Sequence, residues 1–597
     1  MFGVLLLSMK EDSSRSLLAS RSRVLLILMI VFGGIFVARL FYVQIIQHGY
    51  YEEQALKEHA RKFVITAKRG LIYTYDGPDK LTSLVLNEPS YTVYADPRYV
   101  SDADKIVDVM RRVAGGDLAQ DFETGLRDKS RQYVVLANQI NSTQADLIRG
   151  EKLKGVGLHE GEKRVYPDGQ LAAHVLGFVD TEGNGQYGIE QGLNEVLAGE
   201  DGLLKAVTDV SGIPISVGSE ATETPAKDGA DVVLTIDRNI QFQAEKVLKE
   251  GLERVHATKG SILVMDPNNG HILGMANLPT YNPGDYAKTA AAGSWENFKN
   301  RVISEPYEPG SVIKPLTMGV GINEHVIDPD STYNNTGYVQ VDDARITNVL
   351  NYPQGSITMT QVLLYSFNTG AVHVLNQLGG GEINYAARQK LYGYFTDHYL
   401  FGKLTGIELA GETPGVVISP DNPNGGSVCY ANMTFGQGMD ASMIQVASAF
   451  SALINGGNYY RPQVVGGYRQ ADGSVEEKSP TITKSGAVSK ETSDKVRSML
   501  HEIRVKGPVG SSDKSGYIIG GKTGTAQVYD PETGKYSEDQ TIGTYLGFGG
   551  QDSSRYVIMV RVDDSKAGGY AGSTAAAPIF NDLSNWLIDY MQIQPRG

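Results

Sequence analysis

The chain has 597 residues, 41% of them hydrophobic and 20% charged, with a formal net charge of −14. That length exceeds what one hydrophobic core serves and points to several domains, and the acidic balance argues against a nucleic-acid binder. The one cysteine, Cys429, excludes an internal disulfide and a cysteine-cluster metal site; no HExxH occurs and the ten histidines show no ligand spacing, so no metal site and no cofactor are expected. Cys429 itself reads as a small buried side chain rather than a nucleophile.

In chain order, the first element is VLLILMIVFGGIFVARLFYVQII, Val24 to Ile46. As a helix it is roughly 35 Å long, enough to cross a bilayer. Arg15, Arg21 and Arg23 precede it, which places residues 1–23 in the cytoplasm and everything from about Gln47 onward outside. Arg39 lies close enough to the outer end to snorkel, and Tyr42 suits the interface. The apolar run is too long for a cleaved signal peptide, and no small-x-small site follows it.

A mixed segment, residues 47–230, comes next. AKRGLIYTYDG (Ala67–Gly77) reads as strand and turn, YVVLANQI as a strand, and NSTQADLIRG as a capped helix. Arg164–Gly202 is punctuated by glycine and ends helical. The segment shows no catalytic constellation and reads as a pedestal or interaction module. Ser219–Asp231 (SEATETPAKDGAD) reads as a linker. From residue 231 to 597 the pattern is strand (DVVLTID), long amphipathic helix (RNIQFQAEKVLKEGLERVH) and a Pro-Asn-Asn-Gly hairpin (GSILVMDPNNGHILGMAN). A long middle region follows, then a second strand pair (TYLGFGGQDSSRYVIMVRVDD) and a closing helix (PIFNDLSNWLIDYM). This predicts an α+β domain, an antiparallel sheet flanked by helices.

GYIIGGKTGTAQ, Gly516 to Gln527, admits two readings. It fits G-x-x-x-x-G-K-[ST], a phosphate-binding loop, and it also contains Lys-Thr-Gly on a strand. A phosphate-binding loop needs a strand before its first glycine and a helix after its Lys-Thr. Here KGPVGSSDKS precedes and TAQVYDPETG follows, both turn-rich, so the strand reading is preferred.

The chemistry-bearing residues are then these. EPGSVIKP carries Ser311 and Lys314, with Pro309-Gly310 forming a turn from which a helix starts at Ser311. Positions i and i+3 share a helix face, which brings the lysine amine to the serine hydroxyl. A serine needs a base to become nucleophilic, and lysine serves if its surroundings keep it neutral. The helix amino terminus favours the alkoxide. Alone the pattern is weak, since Ser511 and Lys514 repeat it in a polar loop. Lys-Ser/Thr-Gly also recurs at Lys484-Ser485-Gly486 and Lys514-Ser515-Gly516, again in polar turns, whereas Lys522-Thr523-Gly524 adjoins the apolar Tyr517–Ile519. Glycine there lets a substrate backbone approach a sheet edge. Ser366-Phe367-Asn368 follows SITMTQVLLY, which reads as a helix.

S-x-x-K, S-x-N and K-T-G in that order make the chain resemble the penicillin-binding proteins, specifically the class B, monofunctional D,D-transpeptidases. The likeness runs over most of the chain, through AKRGLIYTYDG, RVYPDGQLAAHVLGFV, YGIEQGLNEVLAGEDG, DVVLTIDRNIQ, EPGSVIKP, FGQGMDASMIQVASAFSALINGG and GGKTGTAQ. The Glu-Pro-Gly before Ser311 favours the division (septal, FtsI-like) branch over the elongation branch. One departure is that YTYDGPDK stands where the family usually has Asp-Arg-Asn-Gly.

The resemblance implies a serine β-lactamase-like transpeptidase domain behind a transmembrane anchor and pedestal. It implies that Ser311 attacks the penultimate D-Ala carbonyl of a peptidoglycan stem peptide and Lys314 takes its proton. Ser366 would shuttle a proton to the leaving amine, and Asn368 would bind the substrate amide or orient Lys314. Lys522 would supply positive potential, Thr523, Gly524 and Thr525 would bind substrate, and the Ser311 and Thr525 backbone N–H groups would form the oxyanion hole. β-Lactams would acylate the same serine. Implied partners are a membrane glycan polymerase and division proteins, at the anchor and pedestal. The alternatives are a D,D-carboxypeptidase or β-lactam-hydrolysing relative, in which water takes the acyl group, and a catalytically silent division scaffold.

Overall fold

The computed structural model describes residues 23–51, 60–78, 80–207, 222–349, 353–530, 535–566 and 571–596. The tail bearing Arg15 and Arg21 lies outside them. The described chain forms two compact units, one drawn from residues up to Ala67 together with Glu200–Lys227, the other from Lys68–Gly199 and Asp228–Gly597.

In the first unit Arg23–Ile46 is one helix of 24 residues, long and apolar enough to cross a membrane, with none of its most apolar stretch buried. The Arg39 guanidinium sits 5.6 Å from the Tyr42 ring centroid, a cation–π contact within the helix. The same unit holds a three-stranded antiparallel sheet of Ala60–Ile65, Gly202–Val207 and Thr222–Thr224. The last strand corrects the linker reading of Ser219–Asp231. Thr222–Thr224 is paired, Lys227 bridges Glu200, Asp231 opens a strand, and 219–221 lie outside the described residues.

The second unit begins with β1 (Ile72–Tyr75), β2 (Leu81–Ala95), β3 (Val134–Ile140), β4 (Val156–Val165) and β5 (Asp231–Asp237). Then come α1 (Arg238–Arg254), β6 (Lys259–Met265), β7 (Ile272–Leu278), α2 (Lys314–Asn323), α3 (Met359–Tyr365), α4 (Asn368–Leu378) and α5 (Met443–Ile454). It closes with β8 (Val465–Arg469), β9 (Val475–Glu477), α6 (Lys490–Lys506), β10 (Ile518–Asp530), β11 (Lys535–Gly550), β12 (Ser554–Asp563) and α7 (Ala577–Tyr590).

One sheet runs β9-β8-β5-β1-β2-β3, with β4 also paired to β2. The β5–β1 pair is parallel, Val232 opposite Ile72, so residues on both sides of the 230/231 boundary share one sheet. Beside it three pedestal segments meet in a buried ion pair. Glu190 accepts from the guanidinium groups of Arg69 (2.7 Å) and Arg164 (2.8 Å), and its side chain is fully buried. Removing one member of such a set leaves a buried charge uncompensated, at about 3–5 kcal/mol. These residues therefore account for the RGLI, RVYP and GIEQ stretches as structure.

The second sheet, β7-β6-β12-β11-β10, is antiparallel throughout. Alternate residues of its central strands serve different cores, as the period of two requires. Ile262, Val264, Ile558, Val560 and Val562 pack with α1 and α7, through Leu248, Leu252, Ile579, Phe580 and Leu583. Leu263, Met265, Val557, Met559 and Phe548 belong to the core of α2 and α5. Burial on both faces explains why SILVM and YVIMVRV read as near-continuous apolar runs in an antiparallel sheet. Every residue of α5 is buried, so it is apolar all round rather than amphipathic. The hairpin, strand pair and closing helix expected from sequence stand where they were placed. Gly516–Gln527 does not form a phosphate-binding loop, because Ile518 to Asp530 is one strand with no helix after Lys522-Thr523. β10 is an edge strand of this sheet.

Candidate active site

Gly310–Ile313 is a single tight 3₁₀ turn leading into α2, so the α-helix proper starts at Lys314, three residues later than the sequence reading placed it. Pro315 falls in the first turn of α2, where no intrahelical amide bond is lost. The turn is held from below by the loop Phe435–Asp440. Gly310 N–H donates to the Gly436 carbonyl (3.0 Å), and the Glu308 carboxylate accepts from Gly438 N–H (2.7 Å). Gly310 has φ +65°, and a Cβ on Gly436 would stand 2.2 Å from the Gly310 carbonyl oxygen, so both glycines are required by the approach. Ser311 itself is half-buried.

Lys314 is fully buried. Its Nζ donates to the Ser366 carbonyl (2.5 Å), the Asn368 Oδ1 (2.8 Å) and the Ser366 Oγ (3.2 Å). Three donated bonds belong to the ammonium form; the neutral amine keeps two N–H donors and meets the Ser366 hydroxyl with its lone pair, and no hydrogen bond joins Nζ to the Ser311 hydroxyl. The contacts of Nζ therefore run to the S-x-N segment rather than to the serine three residues back. Catalytic bonds of this kind are often loose until substrate closes the site.

Ser366 is the residue after α3 and adopts the left-handed conformation, φ +57° and ψ +39°. Such a backbone costs a non-glycine residue about 1–3 kcal/mol and persists only where the surroundings hold it. Here it turns both the carbonyl and the hydroxyl of Ser366 to Lys314. The SITMTQVLLY stretch differs from its helical reading. Gly355–Thr358 is a strand, and Thr358 caps α3 in a reciprocal pair with Gln361. The Asn368 Nδ2 donates to the Thr347 carbonyl (2.9 Å), which fixes the amide with its oxygen toward Lys314.

A polar cluster behind Asn368 escaped the sequence reading. Asn348 Oδ1 accepts from Thr369 N–H (3.0 Å) and Thr369 Oγ1 (3.1 Å), Asn348 Nδ2 donates to Asn335 Oδ1 (2.9 Å), and Tyr333 shares a hydrogen bond with Thr369 (2.9 Å). All four side chains are buried. The partners come from segments far apart in the chain, so no local spacing announces them.

Lys522 opposes Leu546 in the β10–β11 pairing and is buried. Its Nζ donates to the Thr523 carbonyl (3.0 Å) and Oγ1 (3.3 Å). The Thr525 Oγ1 accepts from Gly572 N–H (3.2 Å). Gly524 has a packing reason that the sequence reading did not include. A Cβ there would meet Thr544 Oγ1 at 2.6 Å, Val312 at 3.0 Å and the Pro309 carbonyl oxygen at 3.1 Å. It lets the Ser311 turn itself lie against β10.

Among the described residues neither Lys314 nor Lys522 has a carboxylate within salt-bridge distance. Burial without a counter-charge disfavours the ammonium form. Burial, and then the charge of Lys522, holds Lys314 well below the ordinary lysine value. Burial alone brings Lys522 down to about 7. A cavity of about 450 Å³ is lined by Ser311, Ser366, Lys522, Thr523 and Thr525 among others. Lys314 lies beneath Ser366, and neither it, Asn368 nor Gly524 forms part of that lining. Ser511 and Lys514 sit elsewhere, Ser511 donating to the Pro508 carbonyl and Lys514 paired with Asp589. Cys429 is half-buried, its thiol raised by burial, as suits an inert side chain.

This arrangement can do covalent acyl transfer: a hydroxyl on a tight turn, an uncompensated amine, a second hydroxyl bonded to that amine, and a cationic sheet edge. Comparison with known proteins agrees. The penicillin-binding protein transpeptidase domain matches residues 260–585, and the penicillin-binding protein dimerisation domain matches residues 64–234. Stage V sporulation protein D of Bacillus subtilis is 31% identical over 584 residues, covering 96% of this chain and 87% of that protein. A probable peptidoglycan D,D-transpeptidase PenA of Neisseria meningitidis is 27% identical over 594 residues, covering 98% and 96%. A peptidoglycan synthetase structure from Bifidobacterium adolescentis superposes with a TM-score of 0.69 at 25% identity, covering 90% of this chain and 98% of that one. The structure of penicillin-binding protein 3 from Mycobacterium tuberculosis complexed with aztreonam gives 0.66 at 25% identity, covering 90% and 98%. With both domains matched in order and one relative alike over nearly its whole length, the chain belongs to the class B penicillin-binding proteins.

Proposed function

We propose that the protein is a membrane-anchored peptidoglycan D,D-transpeptidase acting through an acyl-enzyme on Ser311, and that it serves septal wall synthesis. The observation that carries the chemistry is Lys314, fully buried, without a carboxylate and bonded to both Ser366 and Asn368. Burial without a counter-charge favours its neutral form, the form that can act as a base.

Neutral Lys314 takes the Ser311 proton as Oγ attacks the penultimate D-Ala carbonyl carbon. The oxyanion would fall to the backbone N–H groups of Ser311 and Thr525, where one lost donor typically costs about 10²–10³ in rate. Collapse breaks the peptide C–N bond, and the proton returns to the departing D-Ala nitrogen through the Lys314–Ser366 pair. Lys522 holds positive potential at the terminal carboxylate, with the Thr523 and Thr525 hydroxyls as its donors. Asn368 orients Lys314. An amine of a second stem peptide then takes the acyl group. β-Lactams would acylate the same serine, in keeping with the aztreonam complex of the mycobacterial relative.

The helix Arg23–Ile46 would hold the catalytic unit outside the membrane with the amino terminus in the cytoplasm. Anchor and pedestal would serve a membrane glycan polymerase and division proteins, a role that rests on family resemblance. The septal assignment leans on Glu308-Pro309-Gly310 and on a relative named FtsI homolog.

The test is intact-mass detection of a penicilloyl adduct on the full-length chain, mapped by peptide to Ser311. An adduct on another serine, Ser511 included, would reassign the nucleophile.

A further inference from the structure

The cavity is longer than the chemistry so far described requires. Its lining beyond the motif residues comes from the end of α3 (Leu363, Leu364, Tyr365) and from the end of α6 with the turn after it (Ile503 to Val509). Its position along β10 can be read from close approaches. The Ser311 turn lies against Gly524, where a Cβ would meet Pro309 and Val312, whereas α6 lies against Gly520, where a Cβ would meet His501 N at 3.1 Å. These points are four residue steps apart along the strand, roughly 13 Å at the usual rise. The cavity therefore runs from Ser311 and Thr525, past Ser366, Lys522 and Thr523, to an arm at Gly521 and the α6 end.

Its charge is one-sided. The lining contains Lys522, Lys506 and Arg504 and no aspartate or glutamate, in a chain of net charge −14. The Arg504 guanidinium is spoken for by Asp513 (2.5 Å), Asn581 (2.6 Å) and Tyr545. Among the described residues Lys506 pairs only with the exposed Glu502 (2.6 Å), a surface contact of small value. Lys506 is thus a cation at the rim, above an apolar wall of Leu363, Leu364, Ile503 and Val509.

Transfer needs two peptides in turn. The second must deliver its nitrogen where the first nitrogen left, beside Ser366 Oγ and Lys522 Nζ, because the aminolysis step is the acylation step reversed. We propose that the arm beyond Ser366 and Lys522 is the subsite for the acceptor peptide, whose carboxylate is drawn by Lys506 and whose aliphatic portion lies on the Leu364–Val509 wall. This deepens the transpeptidase reading and rests on it. In the step it serves, the acceptor amine nitrogen bonds to the ester carbonyl carbon of acyl-Ser311 and the carbon–Oγ bond breaks. The proton lost by the amine returns to Ser311 Oγ.

The experiment uses the full-length chain in detergent micelles with a thioester donor, and a tetrapeptide acceptor carrying a free side-chain amine, offered as free acid and as amide. Two quantities are read, the rate of Ser311 acylation and the ratio of transfer to hydrolysis. Val509→Trp, which fills the arm, is expected to lower that ratio about tenfold for both acceptors. Lys506→Glu is expected to lower it about fivefold for the free acid and far less for the amide. An unchanged ratio in both variants would overturn the subsite. A fall in acylation parallel to the fall in ratio would assign the arm to the donor instead, and overturn it equally. Failure of the unaltered chain to form any acyl-enzyme would remove the transpeptidase reading itself, and this one with it.

Discussion

The chain contains the same four-residue pattern twice, and the two copies live in opposite surroundings. Lys314 is fully buried, faces a carbonyl, an amide oxygen and a hydroxyl, and among the described residues has no carboxylate within salt-bridge distance. The Lys514 side chain is 37% exposed and paired with Asp589. Ser311 stands on a turn forced by two glycines against a sheet edge, while Ser511 donates to a carbonyl three residues back. Spacing supplies proximity in both. Only burial without a counter-charge turns a lysine into a base, because the ammonium form then loses hydration and gains nothing in exchange.

The comparison breaks most visibly at the serines. Ser311→Ala is expected to lower penicillin acylation by on the order of 10⁴-fold or more, and Ser511→Ala to leave it unchanged, read by labelled penicillin on a gel. Equal labelling of Ser311→Ala and the unaltered chain would end the assignment. At the lysines the expected gap is smaller. Lys314→Ala, which removes the proposed general base, should cost about 10²–10⁴-fold in acylation, whereas Lys514→Ala should stay within about 0.5 kcal/mol in stability and without effect on acylation. Second-order acylation rates on the two purified variants decide it.

Why one copy could be chosen from the sequence and the other dismissed is a matter of local context. EPGSVIKP carries its turn and its buried helix in adjacent letters, since every residue from Lys314 to Ile322 is buried and all but Lys314 and Thr317 are apolar or glycine. The β6–β7 hairpin, the β11–β12 pair and α7 were legible for the same reason, as local periodicity and turn residues wrote them. What stayed hidden depends on contacts between distant segments. The helix end before Ser366 was legible, but the left-handed backbone that turns Ser366 to Lys314 was not, and neither was the room that Gly524 makes for the Ser311 turn. The Asn348–Asn335–Thr369 cluster joins a strand pair to α4 with no spacing signal at all. The Thr222–Thr224 strand was missed because its polar letters look like a linker and its partner is some twenty residues back.

Stability should follow pH through Lys522, sharpening the contrast with ordinary exposed lysines. Its folded value is about 7 against an ordinary 10.5. Between those values the unfolded chain binds more protons, so stability rises with pH across that window, and the full cost of the buried amine is present below about pH 7. Lys314, also depressed, acts in the same direction. Thermal midpoints measured between pH 7 and 10.5 should therefore climb more steeply in the unaltered chain than in Lys522→Met. Equal slopes would mean that Lys522 is hydrated.

The smallest effect expected on catalysis lies one layer behind the site. Asn348 touches neither Lys314 nor Ser366, yet it accepts from both the N–H and the hydroxyl of Thr369, the residue after Asn368. Asn348→Ala leaves that buried N–H without a partner, a loss of about 1–3 kcal/mol in stability. Because Asn368 begins α4 and supplies the oxygen that holds Lys314, loosening the first turn of α4 loosens the base. Acylation should fall by roughly tenfold, within the range of small misplacements. Its pH profile should shift toward that of an ordinary lysine, as Lys314 gains water. Asn348→Asp, which keeps the oxygen that accepts from Thr369 but loses the Nδ2 donor to Asn335, should restore only part of the rate, and its negative charge behind Asn368 should raise the lysine further. A purely structural role would lower the thermal midpoint and leave the pH profile where it was, and that outcome would confine Asn348 to the fold.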